Sequence, residues 1–178
     1  MPIYISLLRG INVSGQKKIP MKELQAMYKS LKFKNVKTYI QSGNVLFETS
    51  TISISTLQKK IEKKIKEVFT FDVVVLCYTI QEWKKIIKNN PFKSEDEGRI
   101  YVTFLSDIPT KKPMDEINKV KNELEEISII ERAVYFFCPT GYGKTKLSNN
   151  FFENKLKVAG TTRNWKTVNT LLSLAEEK

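Results

Sequence analysis

The chain has 178 residues, 30 of them basic and 19 acidic, a formal net charge of +11, and no histidine. Its length suits one domain or two small ones, and no apolar run approaches the roughly 20 residues of a membrane span. The lack of histidine excludes Ser-His and Cys-His nucleophile pairs and the usual zinc sites, so any catalysis would rest on Lys, Tyr, Asp, Glu or Cys.

The first segment, Pro2 to Arg9, is apolar on both faces and reads as a central strand; it starts so near Met1 that no signal peptide is expected. The two cysteines, Cys77 and Cys138, end strand-like runs and read as reduced core residues, so the cytoplasm is the expected compartment. No metal or cofactor is implied. After the strand comes a loop with two glycines and three cations, Arg9 to Lys18, and then a helix opened by Pro20 with Met21, Leu24, Met27, Tyr28 and Leu31 at helical spacing. Val36 to Ile40 and Val45 to Glu48 are predicted strands joined by the turn Gln41-Ser42-Gly43-Asn44. Ser55 and Gln58 predict a capping box for a helix that buries Leu57, Ile61, Ile65, Val68 and Phe69, and Phe71 to Tyr78 closes the unit as a strand. This order, β-α-β-β-α-β, is the ferredoxin-like split motif.

A second round follows. Thr79 and Glu82 cap a linking helix with Trp83, Ile86 and Ile87 inward, and the polar stretch 89–98 marks a break. Arg99 to Leu105 is the next strand, and Pro113 opens a helix expected to bury Met114, Ile117, Val120 and Leu124. Ser128 to Arg132 and Ala133 to Cys138 are two further strands, and a helix follows Thr145. No clear fourth strand is visible before the last helix, which Thr162 or Asn164 would cap. The expected architecture is α+β, with antiparallel sheets in two ferredoxin-like halves, 1–78 and 79–178, and an extra C-terminal helix.

The loop from Cys138 through Gly141, Gly143, Lys144 and Thr145 to Ser148 looks like a phosphate loop. The Walker A pattern needs glycine where Cys138 stands, however, and too few residues follow Thr145 for the βα units of a nucleotide-hydrolysing domain. A looser anion site and a surface turn both fit. Charge is uneven: residues 1–70 carry a balance of +9, residues 71–138 carry −2 and residues 139–178 carry +4. Polyanion binding would explain this. So would an AT-rich coding bias, since 26 of the 30 basic residues are lysine.

Three groups of motifs resemble the bacterial domain-of-unknown-function family 1697. They are Leu8-Arg9-Gly10-Ile11-Asn12-Val13 with Lys18-Ile19-Pro20-Met21, then Thr38 to Val45, and finally Cys138 to Ser148 with Thr161-Thr162-Arg163-Asn164-Trp165. The resemblance implies two ferredoxin-like halves in a cytoplasmic protein and carries no established activity. It also singles out Arg9, Gly10, Asn12, Ser42, Gly43, Asn44, Gly141, Tyr142, Gly143, Lys144, Lys146, Ser148, Thr162, Arg163, Asn164 and Trp165.

Three functional readings stand side by side. In the first, a nucleic acid or phosphorylated small molecule is bound: Arg9, Lys17, Lys144, Lys146 and Arg163 neutralise phosphates, and Tyr142 or Trp165 stacks on a base. Reversing the charge of Lys144 and Arg163 together should then weaken binding and spare the fold, since both are expected to be exposed. In the second, an enzyme acts on a small anionic substrate without histidine or metal, using Tyr142 as acid and Ser42 or Cys138 as nucleophile. In the third, the loops belong to a protein-interaction module. Asn12, Asn44 and Asn164 then only satisfy backbone groups, and the tryptophans anchor the core.

Overall fold

The computed structural model describes residues 1–177. The chain divides into two compact units, one formed by Met1–Lys85 with Leu171–Lys178 and the other by Ile86–Thr170.

The first unit contains β1 (Ile3–Leu8), α1 (Met21–Ser30), β2 (Lys34–Tyr39), β3 (Asn44–Glu48), α2 (Ile54–Phe69) and β4 (Val75–Thr79). Its antiparallel sheet has the order β2-β3-β1-β4, so β1 is a central strand as its two apolar faces predict. Tyr4, Leu8, Val45, Phe47, Val75 and Cys77 meet Leu24, Met27 and Tyr28 of α1 and Leu57, Ile61 and Ile65 of α2 in one core. Burial of such a face supplies the main drive for folding. Ser6 is tolerated inside because its hydroxyl lies 2.8 Å from the Tyr28 hydroxyl. Burial pushes the Tyr28 pKa well above its ordinary value, so this pair stays neutral.

Two details of α2 differ from expectation. The cap is Ser53, whose hydroxyl accepts from the Thr56 N–H, because the helix begins at Ile54, ahead of Ser55. Val68 continues the Leu57-Ile61-Ile65 stripe at helical spacing but is exposed, in the last turn of the helix, which ends at Phe69.

α3 (Ile80–Lys88) starts with the predicted capping box: Thr79 N–H donates to Glu82, and Glu82 N–H donates to the Thr79 hydroxyl. The second unit contains β5 (Ile100–Leu105), α4 (Met114–Val120), β6 (Glu126–Ile130), β7 (Ala133–Phe137), α5 (Asn149–Leu156) and β8 (Gly160–Asn164), and α6 (Trp165–Glu176) follows. Its antiparallel sheet has the order β6-β7-β5-β8, so a fourth strand is present where the sequence suggests none.

β8 escapes a hydropathy reading because Gly-Thr-Thr-Arg-Asn has no apolar alternation. It is held instead by pairing with β5 and by a Thr103–Thr162 hydroxyl contact of 2.8 Å. Both halves are therefore complete β-α-β-β-α-β units, and the fold is α+β with two ferredoxin-like halves.

α4 also ends earlier than expected. Lys121 leaves the helix with extended backbone (φ −64°, ψ 151°). A turn closed by Asn122 N–H to Glu125 then leaves Leu124 exposed and Glu125 buried.

Candidate functional site

In the first unit, three connections are tied together at one end of the sheet. The loop between β1 and α1 makes a tight path, with Gly10, Asn12, Ser14, Gly15 and Lys17 all at φ between 46° and 72°. Asn12 holds this path closed: its side-chain oxygen accepts from the Ile19 N–H at 2.8 Å, and its amide donates to the carbonyls of Ile19 and Gln41 at 3.0 and 2.8 Å. The last of these bonds joins the loop to the β2–β3 turn.

That turn needs Gly43, which sits at φ 85°; a Cβ there would fall 2.8 Å from both Leu8 Cβ and Ile11 Cδ1. Buried Asn44 donates to the Tyr39 carbonyl and the Ser42 hydroxyl. The third connection enters through Lys17, whose ammonium donates to the Asp72 carbonyl at 2.7 Å, and through Arg9 N–H, which donates to the Val74 carbonyl at 3.0 Å.

A groove of about 380 Å³ opens between these loops, lined by Asn12, Gly15, Lys18, Ile19, Pro20 and Gln41. Pro20 is the N-cap of α1 and supplies no side-chain cap. The first N–H groups of the helix therefore add partial positive charge beside Lys18.

In the second unit, the 138–148 loop is organised from beneath. Glu125 is buried, and its carboxylate accepts hydrogen bonds from Asn122 N–H at 3.0 Å, from the Cys138 thiol at 3.5 Å and from the Thr145 hydroxyl. Thr145 in turn accepts from the Leu147 N–H at 3.0 Å. Gly141 takes φ 95°, and a short 3-10 turn covers Tyr142–Lys144. Tyr142 packs on Tyr101 and Phe136, with ring centroids 4.9 and 6.2 Å away.

Burial pushes the Cys138 thiol up to about 12, so the sulfur is a neutral donor and not a nucleophile. Thr145 points inward at an acid, which is the reverse of a phosphate loop, where the hydroxyl faces a metal and phosphates. Removing this anchor should loosen the loop. Glu125→Ala is expected to cost about 1–3 kcal/mol, the range for buried donors left unpaired, and to speed hydrogen exchange at the Leu147 amide, measured by NMR.

The predicted site residues fall into two groups. Arg9, Gly10, Asn12, Lys17, Ser42, Gly43 and Asn44 share the loop cluster of the first unit. Tyr142, Gly143, Lys144, Lys146, Arg163, Asn164 and Trp165 belong to the second, where Gly143, Lys144 and Lys146 are exposed.

Arg163 corrects the expectation of an exposed loop cation. It lies in β8 opposite Val102, is 7% exposed, and donates to the Thr161 hydroxyl and the Thr162 carbonyl at 2.7 and 2.9 Å. Burial brings its pKa down to about 10. Asn164 caps α6 by accepting from Thr167 N–H at 2.8 Å, and Trp165 is buried. Lys18 and Gln41, which line the groove, stand inside the quoted motifs but were not among the predicted site residues. Glu125 carried none at all, because the periodicity assigned the inward position to Leu124.

A family model described as "Protein of unknown function (DUF1697)" matches residues 1–135; this includes the whole loop cluster of the first unit and stops short of the 138–148 loop. No curated protein matches. The solved structure of a conserved bacterial protein, SP0830, from Streptococcus pneumoniae is similar over 98% of this chain and 99% of that one, with a TM-score of 0.74 and 24% identity. Likeness at that identity concerns the fold.

Proposed function

The chain belongs to the DUF1697 family, proteins of unknown function, and on that premise we propose that it binds a phosphate-bearing ligand of the nucleotide class, free or within a nucleic acid strand. The observation that carries this reading is the groove of about 380 Å³ at the uncapped start of α1, with Lys18 in its wall. An anion there lies near the positive end of a helix dipole and beside an ammonium group. Arg9 and Lys17 are on the same loop, and the nearby Asp72 carboxylate is 3.1 Å from the Lys66 ammonium, which offsets its repulsion. The volume lies within the range of small-ligand sites. The rigid Asn12 and Gly43 contacts also hold the walls in place before a ligand arrives, which lowers the entropy lost on binding.

The 138–148 loop supports anion binding less well, since the buried Glu125 carboxylate stands under it. Lys144 and Lys146 contribute general positive field and not a built pocket. The interaction-module reading keeps one strong point: Asn12, Asn44 and Asn164 do satisfy backbone groups, and both tryptophans are buried.

The test is a titration with ADP and with a short single-stranded RNA at several salt concentrations. Lys18→Glu is expected to weaken binding about tenfold or more, the effect of replacing one charge-assisted contact by repulsion. Lys144→Glu should change it far less, and affinity should fall as salt rises. Equal affinity for the native and Lys18→Glu proteins would remove the proposal and leave the interaction module.

A further inference from the structure

A second cavity, of about 320 Å³, lies in the second unit and is lined by Ile87, Lys88, Asn90, Lys93, Glu97, Ile100, Trp165 and Asn169. Its walls are fixed parts of the fold. The end of α3 is pinned where the Tyr135 hydroxyl donates to the Ile86 carbonyl at 2.7 Å. Ile100 begins β5, and Trp165 begins α6. Asn169 is held against the same helix, its amide donating to the Trp165 carbonyl at 3.0 Å.

Asn90 stands out in this wall. It is 4% exposed, and its amide nitrogen is the buried side-chain polar atom without a hydrogen-bond partner among the described residues. The orientation of that amide is set by its other end: the side-chain oxygen accepts from the Phe92 N–H at 2.9 Å. Flipping the group would place NH₂ against N–H, so the nitrogen is the atom left over. A buried donor without a partner costs free energy and calls for an acceptor.

We propose that this cavity is a binding site for a small organic carboxylate, with the Asn90 amide donating to the carboxylate. The donor character of the amide excludes a cation as its partner. Lys88 and Lys93 supply positive charge against the single acid Glu97, which favours a monoanion over a phosphate dianion. Ile87 and the edge of Trp165 offer an apolar surface for the rest of the ligand, the usual make-up of a small-molecule site. This site is separate from the groove at α1, and either assignment can fail alone.

Benzoate is the probe, with benzyl alcohol as its neutral counterpart, followed in the intact protein by the Asn side-chain amide and Trp indole NMR signals. Benzoate should shift the Asn90 amide and the Trp165 indole signals saturably, and more tightly than benzyl alcohol. Asn90→Asp keeps the acceptor for Phe92 and replaces the donor by a repelling oxygen, and it should lower benzoate affinity at least tenfold. Lys93→Met, at an exposed position, should lower it several-fold with folding untouched, which secures the test if Asn90→Asp is unstable. The proposal is overturned by the absence of a saturable response at about 10 mM benzoate, enough to fill a millimolar site. It is equally overturned by benzyl alcohol binding as tightly as benzoate, or by unchanged affinity in both variants.

Discussion

Gly43→Ala is expected to destabilise the protein by about 2–5 kcal/mol. Two costs combine. The left-handed backbone at φ 85° costs a residue with a Cβ about 1–2 kcal/mol. The new methyl would then lie 2.8 Å from Leu8 Cβ and Ile11 Cδ1, and overpacking of a close core contact costs about 1–3 kcal/mol more. Leu8 Cβ cannot swing aside, since it is fixed to a central strand.

Two other glycines calibrate the prediction. Gly10 also has positive φ, 68°, but open space around it, so Gly10→Ala should show the backbone cost alone. Gly143 has neither constraint, so Gly143→Ala should be close to neutral. Urea unfolding midpoints at constant m-value give the ranking. A Gly143 variant as unstable as the Gly43 variant would show that space and dihedral do not govern these loops. Because Gly43 packs against the loop that builds the α1 groove, its replacement should also weaken nucleotide binding in the fraction that remains folded.

The elements that bury apolar side chains at regular spacing were legible from the residues. β1 was recognisable as central because Tyr4, Leu8, Ile5 and Leu7 leave it no polar face, and the first core follows from the stripes on α1 and α2. Capping was legible at α3, with Thr79 and Glu82, and two residues out of place at α2, where Ser53 and not Ser55 is the cap. Elements and residues held by polar contacts were not legible. β8 is a strand through pairing and hydroxyl contacts, and Glu125 is buried because three donors from separate parts of the chain surround it.

The candidate site shows the same division. The residue types at Arg9, Asn12 and Gly43 marked an important loop cluster, but their spacing could not show that Asn12 ties loop to turn. Nor could it show that Gln41 and Lys18 then face a common groove. Asn90 illustrates the limit most clearly: an Asn-Pro pair in a polar stretch reads as a plain turn, and only the fold around it leaves its amide nitrogen buried without a partner.

Arg163→Glu should unfold the protein more than it alters any binding surface. From sequence alone, reversal at this position was expected to spare the fold; its place in β8 reverses that. The side chain is 7% exposed, and its guanidinium donates to the Thr161 hydroxyl and the Thr162 carbonyl. A glutamate there would turn a carboxylate toward the Thr162 carbonyl oxygen and bury a charge with too few donors. The expected loss is about 3–5 kcal/mol, the scale for a buried charge deprived of its partners. Lys144→Glu, on an exposed turn, should stay within about 0.5 kcal/mol.

The two variants should also differ in their response to pH. Burial would raise the pKa of the introduced carboxyl in the folded state above the unfolded value of about 4.3. The protonated form then folds better than the ionised one. The deficit is therefore full above the folded-state pKa and shrinks as pH falls through it. Unfolding midpoints relative to the native protein at about pH 8 and about pH 5 should show this recovery for Arg163→Glu and none for Lys144→Glu. If Arg163→Glu keeps native stability at both values and loses only ligand affinity, Arg163 belongs to a binding surface after all. The second unit's strand of threonines and arginine would then have to be assigned to recognition and not to the sheet.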